Sequence, residues 1–249
     1  MNEQNPEALI HVGRCTSVLI AESKPKGSLD DDDVRRIIRG TAVFIQKNYL
    51  ITAGHNLALG NHPRHWPGGE VKFVVSLPGL RQFNLGLAIS GHSQTIDCKV
   101  VGYKYKGNYS KKWGWEPEND IAILQVGFNH PYFVSLSTIT PILNHEVDVI
   151  GYPGTIGNEF IIKHPELRSN VTEGREKASK LLPEWQIVVT RGRIIDDKES
   201  TVLYQIATCP GLSGGCVLYG KKMIGKNNSS VKLTLQRRSL GTKSNRRFE

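Results

Sequence analysis

No apolar run in the sequence approaches the roughly 18 residues a helix needs to cross a bilayer, so no membrane-spanning helix is expected. Residues 1–7, Met-Asn-Glu-Gln-Asn-Pro-Glu, have neither a basic start nor an apolar stretch. A secretory leader is therefore not expected, and an intracellular location is the default expectation. Cysteine is scarce, at four residues: Cys15, Cys98, Cys209 and Cys216. None stands in C-x-x-C spacing, which argues against a zinc or thioredoxin-like site. The sequence does not choose among the ways four thiols can pair, and free thiols are expected without a leader. Long helical periodicity and internal repeats are also missing.

Excess positive charge is absent from most of the chain. The net charge is +9, but residues 226–249 hold seven basic side chains against Glu249 and so carry +6 of it. A nucleic-acid or anionic-membrane surface would have to lie on that tail. A solvated end is the plainer expectation, and no nucleic-acid partner is expected.

What is present points to β-structure. The 249 residues include 25 glycines and 12 prolines, and 39% are hydrophobic. That supplies turns and a packed core, and suits one large domain or two fused barrels. Residues 1–34 are polar and broken and end in Asp30–Asp33, as an N-terminal extension would. Residues 41–46 are β-branched and aromatic, and Lys47-Asn48 before Tyr49–Thr52 predicts a tight hairpin. Further short strands are expected near 71–75, 83–89, 97–103 and 121–126, then 147–151, 159–163, 185–194, 202–207 and 216–219. Loops are expected over 60–69 and 104–119. A proline-marked connection is expected at 129–141, and residues 164–182 are polar with weak helical character at most.

Three segments carry chemistry. The first is Tyr49-Leu50-Ile51-Thr52-Ala53-Gly54-His55, a strand running into small residues and a histidine. Histidine is the natural base for acyl transfer near neutral pH, although one of eight histidines proves little alone. The second is Asn119-Asp120-Ile121-Ala122-Ile123-Leu124, an acid heading an apolar strand. A half-buried carboxylate needs a partner, and a histidine N–H is a suitable one. The third is Thr208-Cys209-Pro210-Gly211-Leu212-Ser213-Gly214-Gly215, a serine among glycines. Glycine permits a turn that aims successive N–H groups at one point, where they could hold an oxyanion.

The three occur in the order His, Asp, Ser, separated by 65 and 93 residues. Together the sequence resembles the trypsin-fold (chymotrypsin-like) serine proteases. It is most similar to the branch with glutamyl endopeptidases and high-temperature-requirement proteases. Gly40–Ile45, Val149–Gly154 and Tyr204–Thr208 support that branch, and the resemblance covers about residues 35–225. It implies an all-β fold of two six-stranded antiparallel barrels, residues 35–128 and 129–225. A divergent basic tail over 226–249 could leave the second barrel incomplete. The resemblance implies a serine endopeptidase with His55, Asp120 and Ser213 as triad and the N–H groups of Gly211 and Ser213 as oxyanion hole. A peptide or protein substrate, a monomer, and no metal or organic cofactor are expected.

The sequence also departs from this pattern. Thr208 matches the threonine of the glutamate-binding pocket, but Asn227 stands where those enzymes place a histidine. After Gly225 the usual final strand and helix are replaced by the basic tail. A catalytically silent homologue that binds peptide in the same cleft is the alternative this departure raises.

Overall fold

The computed structural model describes residues 6–23, 35–58, 71–78, 92–110, 114–137, 142–154, 186–198, 201–205, 211–220 and 222–226, with 139, 176 and 209 singly. The strands expected at 83–89 and 159–163, the loop at 60–69 and Asp30–Asp33 lie outside these residues. So do residues 164–182 apart from Glu176, and the tail beyond Lys226.

Six strands form a closed antiparallel barrel: β1 (Thr16–Ser23), β2 (Arg35–Gln46), β3 (Tyr49–Thr52), β4 (Val71–Pro78), β5 (His92–Ser110) and β6 (Gly114–Val126). Their order is β1-β2-β3-β6-β5-β4, and β4 closes onto β1. The β2–β3 hairpin turns through Lys47-Asn48, with Gln46 paired to Tyr49. Phe44, Leu50, Leu124 and Leu19 meet inside this barrel, all buried. Each of these strands is hydrogen-bonded to a neighbour on both sides over part of its length, and the outer part of the β5–β6 hairpin projects beyond the closed ring.

A second sheet follows with five strands among the described residues. These are β7 (Glu146–Gly151), β8 (Val188–Lys198), β9 (Thr201–Gln205), β10 (Cys216–Tyr219) and β11 (Lys222–Lys226). Their order is β11-β10-β7-β8-β9. Val147 and Val149 of β7 bury one face with Ile194, Tyr204 and Val217. Between them Asp148 points the other way and is held by Arg191, its cross-strand partner, at 2.9 Å. The architecture is mostly β with few helices, as expected.

Two expectations are corrected. Residues 1–34 are not simply an extension: helix α1 (Pro6–Arg14) leads into β1, which belongs to the barrel. Every residue of β1 is buried. Leu19 faces the barrel interior, while Val18 and Ile20 pack with Tyr152 from the second half. Burial on both faces removes the alternation that marks a half-exposed strand. The loop expected over 104–119 is largely hairpin, with β5 and β6 paired from Cys98 and Val126 out to Ser110 and Gly114. Tyr103, Tyr105 and Tyr109 alternate with Lys104, Lys106 and Asn108, a period-two pattern that suits a strand.

The connection after β6 is pinned to both halves. The His130 N–H donates to Lys47 O, and the Val134 N–H to Phe44 O. Leu136 then bridges in parallel to Met223 of β11. No helix among the described residues is long and apolar enough to cross a membrane.

Candidate active site

β3 ends at Thr52, and a short 3-10 turn, Gly54–Leu57, brings His55 over the barrel rim. Gly54 is needed there because a Cβ would lie 2.8 Å from Lys104 O and 3.1 Å from Ile121 N. The neighbouring strand β6 carries Asp120, two residues before the Thr52–Ala122 pair. Its carboxylate is shut off from solvent, while 24% of the His55 side chain stays exposed.

The structure brings His55, Asp120 and Ser213 together. The His55 ring Nδ1 lies 2.8 Å from Asp120 Oδ2, and Nε2 lies 2.9 Å from Ser213 Oγ. The His55 backbone N–H also donates to Asp120 Oδ1 at 2.7 Å. A carboxylate only accepts, so Nδ1 carries the proton and Nε2 is left to accept from the serine hydroxyl. Burial pushes the Asp120 carboxyl up, but the His55 hydrogen bond and then the Lys226 charge outweigh it and hold it below its usual value.

Ser213 sits on the turn that runs from Cys209 into β10. The Leu212 N–H donates to Cys209 O, and the Gly215 N–H to Leu212 O. Gly211 and Gly214 take φ of 91° and 87°, a region that side chains disfavour. A Cβ on Gly214 would also strike Thr41 O and Thr52 Oγ1. Gly214→Ala should therefore combine left-handed strain with overpacking, about 3 kcal/mol together. The melting temperature should fall by about 10 °C; a fall below about 3 °C would show that the turn relaxes.

The seam between the halves holds residues the motif reading left without a role. The Thr41 N–H donates to Ser213 O at 2.8 Å, and its Oγ1 donates to Gly211 O at 2.8 Å. The same Oγ1 accepts the Tyr152 N–H at 2.9 Å. Asn56 is buried, and its Nδ2 donates to Thr52 Oγ1 and to Ser213 O, each at 3.0 Å. Arg39 donates to Asn56 O and Ala58 O at 2.8 Å each, fixing the chain beyond His55. Gly40 lets β2 close on this cluster, since a Cβ would lie 2.6 Å from Ser213 O. Asn56→Ala leaves Ser213 O with the Thr41 N–H but loses both amide bonds, at about 2 kcal/mol. A urea midpoint should register this; an unchanged midpoint would mean water replaces the amide.

Lys226 was also missed. Its Nζ lies 3.9 Å from Asp120 Oδ2, and only 9% of its side chain is exposed. The sequence marks the region only as the place where the family pattern breaks. Thr208 and Asn227 lie outside the described residues. No His, Cys, Asp and Glu cluster among the described residues could hold a metal ion.

No protein-family model matches the chain, and no curated protein matches it in sequence. Solved structures do. An HtrA-type protease, AlgW, in a structure with a decapeptide, is 18% identical over 90% of this chain and 57% of that one, with a TM-score of 0.50. Deg5 is 14% identical over 90% of this chain and 83% of that one, with a TM-score of 0.51. The fold is trypsin-like. At these identities the likeness carries the fold, and any chemistry rests on the site itself.

Proposed function

We propose that the chain is a serine endopeptidase that hydrolyses peptide bonds through an acyl-enzyme. The observation that carries this is the continuous relay from Asp120 through His55 to Ser213 Oγ, with both links under 3 Å. In this reading Ser213 Oγ attacks the scissile carbonyl carbon as His55 Nε2 takes its proton. The carbonyl oxygen becomes an oxyanion, held by the N–H groups of Gly211 and Ser213. Asp120 keeps the ring oriented and stabilises the imidazolium. The imidazolium gives its proton to the leaving amine, and the C–N bond breaks. Water then repeats the sequence on the ester, releasing the acid and restoring the serine. A peptide or protein substrate follows from this chemistry, and Thr208 remains the proposed contact in its specificity pocket.

Labelling with a fluorophosphonate tests the reading, because that probe reacts only with an activated serine. Covalent adduct on the peptide containing Ser213 is the expected result. An unlabelled Ser213 in folded protein would overturn the endopeptidase reading and leave a silent, peptide-binding homologue.

A further inference from the structure

A lysine lies beside the buried member of the relay. Lys226 ends β11, where it pairs with Cys216 of β10 immediately after the serine turn. Its ammonium and the His55 ring approach the same carboxylate oxygen, Asp120 Oδ2, at 3.9 Å and 2.8 Å. The longer distance is an ion pair rather than a hydrogen bond. Both charges are largely withdrawn from water, so solvent screens their interaction little.

We propose that Lys226 is a positioning residue of the relay, whose ammonium holds the Asp120 carboxylate from the β11 side and opposes the build-up of positive charge on His55. Its effect on rate rests on the endopeptidase reading; its coupling to Asp120 does not. When His55 takes the serine proton, the new imidazolium shares one carboxylate oxygen with a cation already in place. Lys226 therefore helps keep Asp120 ionised and stands as a second cation beside the carboxylate that would face the imidazolium. Neutralising the lysine removes that opposition.

Among the described residues, the other groups facing this cluster do not supply the charge. From β5, Tyr103 and Tyr105 are raised above their usual value by burial first and by Asp120 second, so they stay neutral. From β10, burial raises the Cys216 thiol well above its usual value. From β2, Arg39 is committed to the backbone oxygens of Asn56 and Ala58. Lys226 itself is lowered by burial to about 8, against the partial opposition of Asp120. The switch from opposed to unopposed relay therefore falls near pH 8 rather than near an ordinary lysine's 10.5. A folded value below the unfolded one also means that folding stability rises as pH climbs from about 8 to 10.5.

Two measurements test this on the full chain. In the first, lysine side-chain NMR should show one signal titrating near pH 8 that is lost in Lys226→Met. Methionine is unbranched and nearly as long as lysine, lacks the charge and suits a buried position. In Asp120→Asn that signal should titrate at lower pH, because its counter-charge is gone. An unmoved titration in Asp120→Asn would overturn the proposal whether or not the protein has activity. In the second, the pH profile of fluorophosphonate labelling should differ between wild type and Lys226→Met. Its acid limb should move up by about one pH unit in the variant. A lysine with only a structural role would change stability and leave the acid limb in place, which would also overturn the proposal. Absence of labelling at every pH, with the NMR coupling intact, would instead sink the endopeptidase reading and leave the Lys226–Asp120 coupling standing.

Discussion

Turnover of a peptide substrate is expected to fall about a million-fold when Ser213 is replaced by alanine. The change removes one oxygen atom from a residue that is only 5% exposed, so the fold has little reason to respond. The backbone oxygen of Ser213 keeps its hydrogen bonds from Thr41 and Asn56, because neither involves the hydroxyl. His55 and Asp120 keep theirs as well. What is lost is the atom that would bond to the scissile carbonyl, and with it the acyl-enzyme. Steady-state hydrolysis alongside a thermal melt makes the comparison. A loss of under about tenfold with an unchanged melt would mean that another group performs the chemistry.

Asp120→Asn is expected to lower turnover about ten-thousand-fold, and the geometry supplies the reason. His55 donates twice to this carboxylate, from its backbone N–H to Oδ1 and from ring Nδ1 to Oδ2. An amide offers one acceptor and one donor in place of two acceptors. If its NH2 faces the backbone N–H, two donors collide. If it faces the ring, Nδ1 must accept, which moves the ring proton to Nε2. A protonated Nε2 cannot take the serine proton. The acid side of the stability profile should change too. The Asp120 carboxyl is held below its usual value, so its ionised form favours the fold above the usual carboxylate range and loses that advantage as pH falls through it. The amide introduced by Asp120→Asn has no such titration, so acid unfolding of the variant should be less steep. Hydrolysis rates and acid melts together check both halves. Full activity in the variant would remove Asp120 from the relay.

The three residues of the proposed relay were singled out in the sequence because acyl transfer would need a base, an orienting acid and a nucleophile on a glycine-built turn. Each stood beside a local signal: small residues before His55, an apolar run after Asp120, glycines around Ser213. The β-rich fold was legible from short strands and from the Lys47-Asn48 hairpin. β1 was not, because a strand buried on both faces has no alternation, and Thr16, Ser17 and Ser23 make it look polar. The β5–β6 hairpin was masked by its lysines and aromatics. Thr41, Asn56 and Lys226 were illegible for a different reason. Apart from the nearby Thr52 hydroxyl that Asn56 also reaches, the groups that accept from them are backbone oxygens or a carboxylate far along the chain, 170 residues away for Thr41 and Gly211. Such bonds follow from how the two halves meet, and no local pattern encodes them.

The seam through Thr41 and Asn56 also sets an order of events during synthesis. The barrel strands leave the ribosome first, and Ser213 follows Asp120 by 93 residues. At ordinary translation rates that interval is on the order of ten seconds. Throughout it the nascent chain holds His55 and Asp120 without Ser213, the proposed nucleophile. The serine turn then arrives against a donor set already built on β2 and the His55 turn. On the endopeptidase reading, the nascent chain cannot cut its neighbours before the serine turn has been made.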